Sequence, residues 1–130
     1  MSDHYAQLTD AFEVFDIAPG KFSHADHVGV AYQMLRRYDF LEASMRYAKS
    51  INTIATAAGA PDKFNVTVTL AFLSLIAERM QTSAHDDYDE FVAKNPDLFS
   101  SNLLDKWYDH DQLGTELART IFVMPSRNAA

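Results

Sequence analysis

Apolar residues recur at helical spacing along nearly the whole chain, and the strict alternation that marks a half-buried strand is almost absent. That pattern restricts the fold to helices packed on helices. The one alternating stretch, Val66-Thr67-Val68-Thr69, runs straight on into Leu70-Ala71-Phe72-Leu73-Ser74-Leu75-Ile76-Ala77-Glu78-Arg79-Met80. The combined segment is long and rich in helix formers, so a single helix is expected over about 62–82. It is apolar on most of its circumference, the mark of a central helix covered on several sides. Its apolar run is broken by Thr67, Thr69 and Ser74 and is too short to span a bilayer.

Helix boundaries follow from local chemistry. A first helix is expected from about Asp3 to Phe15, stopped by the Ala18-Pro19-Gly20 turn, with Tyr5, Phe12 and Phe15 on its buried side. Ser23 with Asp26 three residues on forms a capping-box pattern for a second helix reaching about Tyr38. Asp39 can cap a third, closed by Gly59 after Ala58. Ala60-Pro61-Asp62 then opens the fourth. Asp86 or Asp87 starts a short helix to Lys94, and Leu103 to Tyr108 and Gln112 to Phe122 look helical. Residues 125–130 are expected to fray. The expectation is therefore an all-α, compact single-domain bundle of about six or seven helices over residues 1–124, built around the apolar fourth helix.

Length and composition agree with one globular domain: 130 residues support a single core, and 48% of them are apolar. The net charge of −7 and isoelectric point near 5.0 argue against non-specific binding to nucleic acid or to an anionic membrane. With no cysteine, thiol catalysis, disulfides and zinc–thiolate sites are excluded. The N-terminal residues lack a signal-peptide pattern, which makes a soluble cytoplasmic protein the expectation.

Two polar signatures stand out, Ser23-His24-Ala25-Asp26-His27 and Lys63-Phe64-Asn65-Val66-Thr67-Val68-Thr69. On the second helix the series His24, Val28, Ala31, Leu35 and His27, Ala31, Met34, Tyr38 place both histidines on the apolar face, at its N-terminal end. One turn's spacing puts them about 4.5 Å apart along the axis. Short connections favour antiparallel neighbours, so the starts of helices two and four should share one end of the bundle. There His24 and His27 would meet Lys63, Asn65, Thr67 and Thr69. Asn52 would join them if the series Leu41, Met45, Ala48, Asn52, Ala55 is the inward face of helix three.

Three kinds of function fit such an end. Helix starts carry partial positive charge and unpaired N–H groups, and Lys63 adds a full charge, so a small anionic molecule is the leading ligand. In that reading His24 and His27 supply charge or acid–base chemistry, and Lys63, Asn65, Thr67 and Asn52 bind. A histidine pair one turn apart could instead hold a divalent metal, if Glu13 or Asp16 supplied a third ligand, although no HExxH or Glu-x-x-His pattern is present. The third is an interaction module whose polar end is purely structural. Elsewhere, Glu42, Glu78, Arg36 and Arg37 read as an ion-pair network at the opposite end, His85 to Glu90 as capping residues, and Trp107-Tyr108 as core.

The spacing of Phe22, His24, His27, Val28 and Ala31, then Lys63, Phe64, Thr67 and Thr69, then Asn95 to Leu98, resembles a family of small uncharacterised bacterial helical proteins. The likeness covers most of the chain. It implies the location of a site and no particular reaction. Some members carry histidine where this chain has Asn65, so the resemblance implies that a three-histidine metal site would be incomplete here.

Overall fold

The computed structural model describes residues 2–127. It contains seven α-helices among those residues: α1 (Ser2–Glu13), α2 (His24–Arg37), α3 (Phe40–Ala57), α4 (Val66–Thr82), α5 (Tyr88–Lys94), α6 (His110–Leu113) and α7 (Glu116–Thr120). Three 3-10 turns, Pro61–Lys63, Pro96–Phe99 and Leu103–Lys106, complete an all-α, single-domain bundle. No described helix is long and apolar enough to cross a membrane.

The caps are those the local chemistry dictates. Ser23 Oγ accepts from the Asp26 amide while the Asp26 carboxylate accepts from the Ser23 amide, a closed capping box at the start of α2. Asp39 accepts from the Glu42 amide and starts α3. At the end of α3 the Ala60 amide reaches back to the Ala55 carbonyl, with Gly59 at φ 77°. Glycine adopts this left-handed conformation without steric cost. The end of α1 uses the same geometry without glycine. Asp16 N–H donates to the Ala11 carbonyl, and Phe15 takes φ 64°. The helix therefore stops at Glu13, and Phe15 turns out towards solvent rather than joining Tyr5 and Phe12 inside.

α4 packs against α2, α3, α7 and the Leu103–Lys106 turn, as befits the apolar central helix. It starts four residues later than Asp62, however. Pro61–Lys63 form a separate 3-10 turn, and the true N-cap is Asn65, whose Oδ1 accepts from the Val68 amide. The ends of α2 and α4 meet the start of α3 at Leu35, Tyr38, Phe40, Ala77 and Met80. At the opposite end the starts of α2 and α4 meet the second half of α3. The three helices therefore run alternately up, down and up.

α3 buries a different stripe from the one expected. Ala43, Ser44, Tyr47 and Ser50 face the core, with Ile51 and Ile54 partly covered, whereas Leu41 and Met45 are 74% and 72% exposed. Both stripes have helical spacing, and packing against α1, α2 and α4 selects the one that contains Tyr47. The aromatic core joins Phe12 and Tyr47 on one side to Tyr32, Tyr88 and Phe91 on the other. Burying each such side chain contributes about 1.5–3 kcal/mol.

The end of the bundle remote from the histidines carries an ion-pair network. Its hub is Glu13, which accepts from Arg37 at 2.8 Å and Tyr38 at 2.7 Å and faces Arg46 at 3.6 Å. Glu42 pairs with Arg46. Glu78 is not part of this network, and Arg36 lies over the Tyr32 ring.

Candidate functional site

A cleft of about 200 Å3 opens between α2, α3 and the start of α4, lined by His24, His27, Tyr47, Ile51, Lys63, Asn65, Val68, Thr69 and Phe72. The fold thus brings both sequence signatures to one place. Each wall residue arrives for a traceable reason. The capping box fixes the first turn of α2, which projects His24 and His27 from adjacent turns. The Pro61–Lys63 turn delivers Lys63, and α4 supplies Val68, Thr69 and Phe72.

His27 is mostly withdrawn from water. Its Nδ1 lies 2.9 Å from the Tyr47 hydroxyl, and the Phe22 ring stands edge-on to the imidazole at 4.6 Å between centroids. Burial, reinforced by the neighbouring His24 and opposed by Asp26, pushes its pKa down to about 4. His27 is therefore a neutral imidazole near pH 7, not a source of positive charge. Burial likewise pushes the Tyr47 phenol well above its ordinary value, so it stays a neutral hydroxyl. The hydroxyl also lies 3.5 Å from the His27 carbonyl. If it donates to Nδ1, the ring carries its proton on Nε2; if Nδ1–H donates to it, Nε2 is left with a lone pair.

His24 is oriented by a distant part of the chain. Its Nε2 lies 3.1 Å from the Leu98 carbonyl, which can only accept, so Nε2 carries a proton and Nδ1 is left for other partners. Leu98 is fully buried, and its turn is held from α4. Arg79 makes a two-pronged pair with Asp97, at 3.0 and 2.8 Å, and also donates to Asn95 Oδ1 at 2.9 Å. The guanidinium holds the Asp97 carboxyl below its ordinary pKa. The Asn95-Pro96-Asp97-Leu98 stretch thus positions a site residue from 74 positions away.

Two further groups on the wall carry unused bonding capacity. The Thr69 hydroxyl makes no hydrogen bond among the described residues and opens on the cleft rather than being sealed in the core. Lys63 is exposed and makes no ion pair among them. Asn65 lines the cleft but is occupied: Oδ1 caps α4 and Nδ2 donates to the Leu113 carbonyl at 2.8 Å. Its role is to tie α4 to α6.

Two expected ligand residues lie elsewhere. Thr67 is fully buried on another side of α4, donating to the Ile121 carbonyl at 2.7 Å and accepting from the Val123 amide at 3.0 Å. It clamps the C-terminal segment and has no donor left for an anion. Successive residues are about 100° apart on a helix, so Thr67 and Thr69 cannot both face the cleft. Asn52 is exposed and is not a cleft residue, because α3 buries the Tyr47 stripe. Of the two carboxylates considered for a metal, Glu13 is bound in the network at the far end. Among the described residues no group of three or more histidine, aspartate or glutamate side chains could hold a metal ion.

Tyr47 had no place in the site deduced from sequence. Its spacing with Ala43, Ile51 and Ile54, and the need of a buried phenol for a polar partner, are the signals that point to it. Comparison with protein-family models, with curated proteins and with solved structures finds no match for this chain. The chemistry of the cleft therefore rests on its own geometry.

Proposed function

We propose that this protein binds a small anion, a carboxylate or a phosphate, in the cleft between α2, α3 and the start of α4. The observation that carries this reading is the convergence of the Lys63 ammonium and the Thr69 hydroxyl, neither with a side-chain partner among the described residues, on one cavity beside His24 and His27. A hydroxyl that opens on a cleft with no protein partner can donate to a guest that enters it. The start of α4 adds partial positive charge, and Lys63 adds a full one. His27 contributes as a neutral donor through Nε2, which requires the tautomer in which the Tyr47 hydroxyl donates to Nδ1.

The same chemistry favours binding over catalysis. An imidazole with a pKa near 4 is a poor proton acceptor at neutral pH, about two to three units from where general-base catalysis is most effective. His27 then orients and hydrogen-bonds the guest.

Calorimetric titration with acetate, propanoate and inorganic phosphate tests the reading. Lys63→Met should weaken binding by about tenfold or more, the scale of a charge-assisted hydrogen bond, and Thr69→Val by roughly threefold to tenfold. Equal affinity in wild type and Lys63→Met refutes it.

A further inference from the structure

The cleft does not end at His24. His24, Val68 and Phe72 also line a second, larger cavity of about 670 Å3 that continues towards the Leu103–Lys106 turn and α6. Its walls are mainly apolar: Phe72, Phe99, Leu103, Leu104 and Leu113. Asp105 and His110 mark its outer rim, their side chains 41% and 76% exposed. The cleft and the groove thus share a wall on which the His24 and Phe72 rings lie 6.0 Å apart.

We infer that the ligand is an amphipathic carboxylic acid, with its carboxylate at Lys63 and Thr69 and an unbranched apolar chain lying along Phe72, Leu103 and Leu113 in the groove. The inference rests on the anion reading of the cleft and deepens it. The smaller cavity, of about 200 Å3, holds the lysine and suits a head group; the adjoining cavity is more than three times larger and most of its wall is apolar, with Ser100, Ser101, Asp105 and His110 as polar members. Charge complementarity fixes the direction. The cation, Lys63, is on the cleft side, and Asp105, the one carboxylate among the described residues that line the groove, is on the outer rim, where it repels an anion. A molecule with one anionic end and one apolar body therefore has a single favourable orientation.

The test is a chain-length series on the full-length protein: propanoate, pentanoate, heptanoate and nonanoate, with heptan-1-ol as the uncharged control, titrated below their micelle concentrations. Affinity should rise about fourfold for each methylene buried, and heptan-1-ol should bind far more weakly than heptanoate. In Phe99→Glu and Leu113→Glu the rise with chain length should flatten; Phe99 is already 38% exposed, so its replacement does not empty the core. Propanoate binding with no gain on lengthening overturns the amphipathic ligand and leaves the anion site standing. A gain that persists undiminished in both glutamate variants also overturns it. Failure of every acid to bind overturns this inference; the anion reading falls with it only if inorganic phosphate also fails to bind.

Discussion

The Tyr47 hydroxyl stands 2.9 Å from Nδ1 of His27, joining the middle of α3 to the first turn of α2 at the wall of the cleft. The contact is made between two neutral groups, because burial keeps the imidazole unprotonated down to about pH 4. The ordinary histidine value is 6.5, so between pH 6.5 and 4 the unfolded chain takes up a proton at this position and the folded chain does not. Stability from His27 is thus fully present above pH 6.5 and is lost as pH falls to about 4, to a total of at most about 3 kcal/mol. Proton NMR titration should place the His27 ring resonances near pH 4. Denaturation curves measured across this range should lose much of their slope in His27→Gln. A His27 midpoint near 6.5 would contradict the burial account.

Thr67 spends its one hydroxyl twice, as donor to Ile121 and acceptor from Val123, and so fastens the segment after α7 to the central helix. Thr67→Val keeps the shape but strands two backbone groups. It should cost about 1–3 kcal/mol and speed hydrogen exchange at the Val123 amide. Ligand binding in the cleft should not require this hydroxyl, since it faces away. An unchanged Val123 exchange rate would mean that other contacts hold the segment.

Gly29 on α2 lies directly under the Tyr5 ring of α1: a Cβ there would sit 2.5 Å from ring carbons. These are the near atoms of a rigid ring, so Gly29→Ala forces α1 outward and should destabilise by about 1–3 kcal/mol. Gly114→Ala is the contrast. A Cβ at that position meets only backbone oxygens at 3.7 and 3.8 Å, and stability should stay within about 0.5 kcal/mol of wild type. Urea denaturation of the two variants decides the matter; similar midpoints would show that Tyr5 gives way.

Much of the fold was legible because its signals are local. Ser23 with Asp26, Asp39, and Gly59 act within one helical turn of themselves, so their chemistry reads directly from neighbouring letters. The short connections between α2, α3 and α4 then leave little choice but alternating directions, which is why His24, His27 and Lys63 could be expected at one end. Phe15 marks the limit of this reasoning at a helix end. Nothing in its side chain announces a left-handed conformation, and the backbone adopts one to satisfy the Ala11 carbonyl.

Periodicity dictated that the chain form helices and that α4 be covered on several sides, because apolar spacing and capping act through the bonds and turns of a single segment. It could not choose between the two stripes of α3, where Leu41 and Met45 are spaced as well as Ala43 and Tyr47 are, since only the neighbouring helices determine which is covered. Nor could it distinguish Thr67, bonded to Ile121 and Val123, from Thr69, whose hydroxyl opens on the cleft with no partner among the described residues. Those roles depend on partners more than fifty residues away, and a hydroxyl's use is settled by whichever donors and acceptors the assembled fold places within about 3 Å of it.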